Sequence, residues 1–308
     1  MPARGLGFDR EVPAGGYAWW YLDALSDDGK DALTLIAFVG SVFSPYYAWA
    51  GRRDPLDHAA INVALYGRDR SRWSLTERGR GALTRSPEAM QVGPSALWSE
   101  GDALQVTIDE RGWPIPRRLR GRVRLVPEIR GERERVLERH GDHRWWPIAP
   151  RARVEVAFDE PALRWSGTGY LDCNWGSEPL EQAFHEWTWS RTPLSRGALV
   201  LYDTQPRREE AAAMALRFDG SGAAHELEPP PPVSLRPTLF GLERATRSEA
   251  GAELVRTLTD SHFYARSVVR SQLLGESAVG IHESLSLDRF GTRWAKLLLP
   301  FRMPRRAR

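Results

Sequence analysis

Short apolar segments with a two-residue repeat recur along the whole chain, and they restrict the fold more than any other feature. In AINVALY (60–66), RVEVAF (153–158) and GIHESLSL (280–287) apolar and polar residues alternate. Successive side chains of a strand point to opposite sides, so this is the pattern of strands with one buried face. Further short apolar segments lie at 32–39, 103–108, 120–125, 198–202, 213–218, 254–258 and 267–273, bounded by Gly, Pro and Asp. Helical periodicity is scarce, and many short strands with frequent turns predict an all-β sandwich or barrel. Helix is expected only in patches such as 179–184, with Ser177 as N-cap and Pro179 near the first turn.

The stretch 32–51 runs twenty residues without a charge, long enough to cross a bilayer on a simple count. Gly40, Ser41, Ser44 and Pro45 interrupt it, so it reads as a buried strand followed by an apolar loop. At roughly 100–200 residues per domain, 308 residues make about two domains. A faint repeat supports two β units: the segment from Trp20 resembles the segment from Trp189, pairing Leu25-Ser26 with Leu194-Ser195 and Leu33 with Leu199. The boundary is expected within 127–165, where the charged run RGERERVLERHGDHR reads as a solvated helix or connection. The resulting division is an N-terminal domain 1–150 and a C-terminal domain 151–308.

Charge and motifs exclude several classes of function. Lys and Arg exceed Asp and Glu by 43 to 40, and the +3 is spread along the chain, whereas nucleic-acid binding wants a concentrated basic stripe. One cysteine, Cys173, leaves no internal disulfide and no multi-Cys metal site. A reducing cytoplasm is the simplest compartment, and Arg4, Asp9, Arg10 and Glu11 stand where a signal peptide needs an apolar run. Walker, GxGxxG, HExxH and GxSxG motifs are missing. Cys173, with His185 twelve residues on, reads better as a buried, inert thiol than as a nucleophile.

The aromatic content points elsewhere. Thirteen Trp, eight Tyr and ten Phe exceed what a core of this size needs and suit a large apolar ligand or a cation. The densest stretch is 167–191, GTGYLDCNWGSEPLEQAFHEWTWSR. On an extended segment Tyr170, Asp172 and Asn174 share a face, as do Trp187 and Trp189 on the next. Two readings stand side by side: an acid kept protonated within an aromatic wall, or a Gly-rich turn with local hydrogen bonds. The cluster GGYAWWYLDA sets Trp19 and Tyr21 on one face and Trp20 on the other, one of them plain core. His58 and Asn62 share a parity, with His58 read as structural. Tyr202-Asp203, His262-Phe263-Tyr264 and His282-Glu283 place polar groups in apolar strands, where they need partners.

With these residues in view, the chain resembles the carotenoid 1,2-hydratase family, also called hydroxyneurosporene synthase. The resemblance runs through GGYAWWYLDALSDDG, LTLIAFVGSVFSPYY, HAAINVALYG with RWSLTERGR, GTGYLDCNWGSEPLE, WTWSR, LVLYD, FYARS and ESLSLDRF. It implies two lipocalin-like β-barrel or half-barrel units with few short helices. It also implies cofactor-independent addition of water to the terminal 1,2 double bond of an acyclic carotenoid such as neurosporene or lycopene, with no metal. Such a reaction needs a proton donor, ring faces for a tertiary cation and a positioned water. Asp172 is the first choice of donor and Asp203 the second, and the resemblance adds His185, Trp187 and Tyr202 as catalytic residues. Substrate contacts are expected from Trp19, Trp20, Tyr21, Tyr170, Asn174, Trp175, Trp189 and Tyr264. The tract departs from the family pattern at Thr188, where relatives can carry a charged residue between the two tryptophans. If that position relays the essential proton, activity here is altered or lost.

Two other classes remain open: a noncatalytic carotenoid or isoprenoid carrier, and a related enzyme that isomerises or cyclises another polyene. The tail WAKLLLPFRMPRRAR, with Leu297, Leu298, Leu299 and Phe301 beside Arg302, Arg305, Arg306 and Arg308, suits either an anionic membrane surface or a final strand with a frayed end. The expected location is the cytoplasm, at or near the inner membrane surface.

Overall fold

The short apolar segments fall within strands, apart from Leu287, the last residue of 280–287, which begins a short helix. A computed structural model of the chain describes residues 5–68 and 71–306. Its contacts divide the chain into two compact units, one of Met1–Val136, His140–Pro179 and Leu297–Arg308, the other of Leu137–Arg139 and Leu180–Lys296. The fold is all-β and lipocalin-like.

The first unit holds β1 (Tyr17–Ser26), β2 (Ala32–Val39), β3 (Ala59–Tyr66), β4 (Arg72–Arg78), β5 (Leu83–Arg85), β6 (Ala89–Val92), β7 (Ser95–Glu100), β8 (Ala103–Arg111), β9 (Arg118–Ile129), β10 (Arg135–Val136), β11 (His143–Glu160) and β12 (Leu163–Gly176). These form one sheet in the order β4-β3-β2-β1-β12-β11-β9-β8-β7-β6-β5, with β10 paired to β11. Trp20, Leu22, Leu35, Val154 and Val156 from the middle of the sheet share a single core with Met90, Leu97 and Val106 from β6–β8. Residues so far apart in strand order meet only because the sheet curls over into a half-barrel.

The second unit holds β13 (Phe184–Leu194), β14 (Gly197–Pro206), β15 (Ala212–Phe218), β16 (Ala224–Leu227), β17 (Pro232–Leu235), β18 (Arg244–Arg247), β19 (Ala252–Asp260), β20 (Tyr264–Leu273) and β21 (Glu276–Ser286). Its sheet runs β16-β15-β14-β13-β21-β20-β19, and β17 and β18 form a separate ribbon. Leu194, Leu199, Leu201, Ala215 and Leu273 form a core cluster of this unit. The last strand, β22 (Arg305–Arg306), returns to the first sheet and pairs with β4 in parallel.

Two local expectations are corrected. After β2 the apolar stretch does not continue as a loop but forms the helix α1 (Pro45–Trp49), started by Ser44, whose Oγ accepts from the Tyr47 N–H at 2.9 Å. Pro45 opens this helix because the first turn tolerates a missing N–H. The helix α2 spans Leu180–Ala183, and Ser177 does not cap it; the Ser177 hydroxyl instead donates to Asp142 Oδ1 at 2.6 Å. Of the two readings of the charged run, the connection is the one observed: no helix is described there, and β10 is its one strand before β11 begins. Among the described residues no helix is long and apolar enough to cross a membrane.

Candidate active site

In the first unit, strand register gathers the polar aromatic residues onto one face. Across β1 and β12, Tyr21 pairs with Asp172, Asp23 with Tyr170 and Trp19 with Asn174; across β11 and β12, Trp145 pairs with Asn174. Directly opposed residues project to the same side, so these side chains stand together. The intervening Trp20, Leu22, Leu171 and Cys173 enter the apolar core. Burial pushes the Cys173 thiol up, which fits the inert role expected for it.

Asp172 is the focus of this face. It is 4% exposed, and its Oδ2 accepts from Trp145 Nε1 and from the Tyr170 hydroxyl, both at 2.9 Å. Its Oδ1 accepts from Asn174 Nδ2 at 3.1 Å. None of these three partners is a cation. Burial, together with the neighbouring Asp172 carboxylate, holds the Tyr170 phenol well above its ordinary range, so it stays protonated and donates. The Asn174 Oδ1 is buried and has no hydrogen-bond partner among the described residues, an unusual state for a buried acceptor. A second buried carboxylate, Asp23, accepts from the Tyr21 hydroxyl at 2.9 Å. Rings wall the same face: Tyr17 stacks on Trp19 at 4.8 Å and Tyr21 meets Tyr170 edge-on at 6.1 Å. Tyr17 shares a 2.9 Å hydrogen bond with His143 Nδ1.

In the second unit, Trp187 and Trp189 also share a face, and Tyr202 lies opposite Trp189. Trp187 meets Tyr202 edge-on at 6.2 Å. Across β21 and β20 the same face carries Glu283, ion-paired to the buried Arg266, and Tyr264, whose hydroxyl accepts from Arg266 Nε at 3.3 Å. Thr188 points to the other side, where its hydroxyl is 3.4 Å from Asp203 Oδ2, and Arg247 Nε donates to Asp203 Oδ1 at 2.6 Å. His185 is half-exposed, and its Nδ1 lies 2.9 Å from both Asp288 Oδ2 and Arg207 Nη1, so it either donates to the carboxylate or accepts from the guanidinium.

The Thr188 side of this sheet also carries His282, which lies opposite Ser190 and Ser267 and shares a 3.1 Å hydrogen bond with Ser284. Burial, reinforced by the Arg244 guanidinium, pushes His282 down from 6.5 to about 3. The unfolded chain therefore binds the extra proton between these values, so this residue's contribution is complete above pH 6.5 and declines as the pH falls toward 3. The expected slope is about 1.4 kcal/mol per pH unit. Urea unfolding at pH 6 and pH 4 should show a steeper acid loss in the native chain than in His282→Gln; equal slopes would refute it.

Of the expected site residues, Asp172, Tyr170, Asn174, Trp19 and Tyr21 stand on one face of the first unit. Trp187, Trp189, Tyr202 and Tyr264 share a face of the second unit, while Asp203 lies on the other side of that sheet and His185 elsewhere in the same unit. Trp20 is fully buried in the core and donates its Nε1–H to Leu6 O at 2.9 Å. Trp175 packs at the edge of that core with the Arg10 guanidinium 3.5 Å above its ring. Trp145 and His143 had no role in the sequence reading. Their spacing in HRWW puts both on one side of a strand, but their pairing with β12 comes from residues far off in sequence.

Residues 35–308 match the family described as carotenoid hydratase CrtC. The chain belongs to the carotenoid hydratase family. Among its relatives, the acyclic carotenoid 1,2-hydratase of Thiocapsa roseopersicina is 54% identical over 310 residues, covering 99% of this chain and 76% of the relative. The enzyme of the same name from Rubrivivax gelatinosus is 49% identical, covering 97% and 76%, and that of Rhodobacter capsulatus is 41% identical, covering 89% and 98%. Among solved structures, a putative AttH from Nitrosomonas europaea superposes with a TM-score of 0.61 at 16% identity, covering 92% of this chain and 98% of the other. Kievitone hydratase from Nectria haematococca gives 0.53 at 10% identity, covering 92% and 93%. At such identities the likeness is one of fold. In this member of the hydratase family, the position between the two tryptophans faces Asp203 and not the Trp187–Tyr202 side.

Proposed function

We propose that the chain is an acyclic carotenoid 1,2-hydratase, adding water across the terminal 1,2 double bond of a neurosporene- or lycopene-type substrate to give a tertiary alcohol. Membership of the hydratase family supports the reaction class. The observation that carries the residue-level reading is the buried Asp172 carboxyl, held by three uncharged donors on an aromatic face. Asp172 gives a proton to C2, and the π electrons form the new C–H bond, leaving a tertiary cation at C1. The ring faces of Trp19, Tyr21 and Tyr170 stabilise that cation by about 0.5–2 kcal/mol each. A water oxygen then attacks C1, and its proton returns to the Asp172 carboxylate, so the cycle closes with one water added. Asn174 Oδ1, the acceptor left without a partner, is proposed to hold that water.

Asp203 is engaged by Arg247, which is why the acid role falls to Asp172. Trp187, Trp189 and Tyr202 are proposed as ring surfaces for the polyene, and His185, paired with Asp288, as a residue that orders this second face. Hydration leaves the oxidation level unchanged, so this scheme needs no redox cofactor. Peripheral membrane contact belongs to the same proposal, supported by the exposed Leu297, Leu298 and Phe301. Within the basic tail, Arg302 lies over the Trp73 ring, Arg305 pairs with Asp57 and Glu77, and Arg308 lies outside the described residues. Incubating the purified chain with lycopene or neurosporene in liposomes should yield the hydroxylated product by chromatography. Retention of the pigment without product would leave a carrier and refute the hydratase.

A further inference from the structure

A cavity of about 590 Å³ opens in the first unit, lined among others by Arg78, Gly93, Asp109, Arg111, Arg118 and Arg306. Four arginines face one carboxylate there, and Asp109 is already matched by Arg118 through bonds of 2.8 and 2.7 Å. Arg78 is 2% exposed. Its Nη2 donates to Glu110 Oε2 at 2.9 Å, but its Nε and Nη1 have no partner among the described residues. Leaving charged N–H groups buried and unsatisfied is costly. Arg78 is thus ion-paired to the buried Glu110, whereas the cavity-lining Arg111 and Arg306 have no ion pair among the described residues.

Strand pairing adds to the excess of positive charge. β22 aligns with β4 so that Arg306 lies in register with Arg78, and like charges on neighbouring strands repel. The fold also keeps space for this guanidinium. Gly93 has a φ of +60°, and a Cβ there would come within 2.3 Å of Arg78 Nε. An oxyanion held by Arg111 and Arg306 would relieve that repulsion, and guanidinium forks match phosphate oxygens in pairs. The volume lies in the range of small-molecule sites and leaves room for a substituent on the anion.

We propose that this cavity binds a phosphate group, either free or as the phosphomonoester headgroup of a lipid. Calorimetric titration of the full chain with inorganic phosphate, at ionic strength fixed with chloride, should show saturable binding at one site. Arg111→Glu should weaken it by about tenfold or more, and Arg306→Ala should weaken it as well. Both residues lie outside the Asp172 face, so hydration in detergent should not change. Flotation with phosphatidylcholine vesicles, with or without phosphatidic acid, separates the sources. Recruitment only by phosphatidic acid, reversed by phosphate and lost in Arg111→Glu, assigns the headgroup. Phosphate binding without recruitment assigns a soluble phosphate. Absence of both, or binding unaffected by both substitutions, overturns the site.

Discussion

Asp172→Asn is expected to lower the hydration rate by about 10²–10⁴-fold, the range of a positioned general acid, with folding and pigment retention preserved. The substitution removes the transferable proton while keeping the size and shape of the side chain. The new amide oxygen can accept from Trp145 and Tyr170 where Oδ2 did. Its NH2 would face the Asn174 NH2, and a half-turn of the Asn174 amide resolves this by presenting Oδ1, which takes that oxygen from the water it is proposed to hold and adds to the loss of rate. Asp203→Asn is the companion measurement, because that carboxylate pairs with Arg247 and is assigned no proton transfer. Product formation by Asp172→Asn at the native rate, with circular dichroism unchanged, would remove Asp172 from the mechanism. Loss in Asp203→Asn alone would move the acid to the second unit.

Trp20→Ala should destabilise the protein by about 3–5 kcal/mol, the usual cost of emptying a buried aromatic site. Trp20 is fully buried, contacts Phe8 at 5.1 Å between ring centres and donates to Leu6 O. Its removal therefore leaves a cavity, a lost ring contact and a buried carbonyl without its donor. For a unit of this size the loss corresponds to a fall in melting temperature of roughly 2–4 °C per kcal/mol. Activity per folded molecule should survive, since Trp20 points away from Asp172. A variant as stable as the native chain, or one that is fully folded but inactive, would contradict the division of β1 into a core face and a reactive face.

That division marks how far the residues alone could be read. Alternation in β1 separates Trp20 from Trp19 and Tyr21 without naming the buried side, because both faces of this strand are apolar enough to bury. The repeat pairing Trp20 with Trp189 shows the same limit. Both residues lie in the first strand of a hairpin, β1–β2 and β13–β14. Trp20 faces the core, whereas Trp189 stands opposite Tyr202, away from the side of Leu199 and Leu201. A shift of one residue reverses every side chain, so similar hairpins can present their tryptophans to opposite faces. Short helices were harder to read than strands because one turn depends on its cap: Ser44 supplies one for α1, while Ser177 turns to Asp142.

Local pattern was sufficient for the strand content, the inert single cysteine, the shared face of Tyr170, Asp172 and Asn174, and the family. Each depends on residue identity and a period of two, which are properties of neighbours in the chain. The union of Asp172 with Trp145, the separation of Trp20 from the polar face, the pairing of Asp203 with Arg247 and the gathering of Arg78, Arg111 and Arg306 around one cavity came from folding. These contacts join residues from 27 to more than 200 positions apart. Their register is set by hydrogen-bond ladders between strands and by curling of the sheet, and neither leaves a signal in the spacing of residues along a single strand.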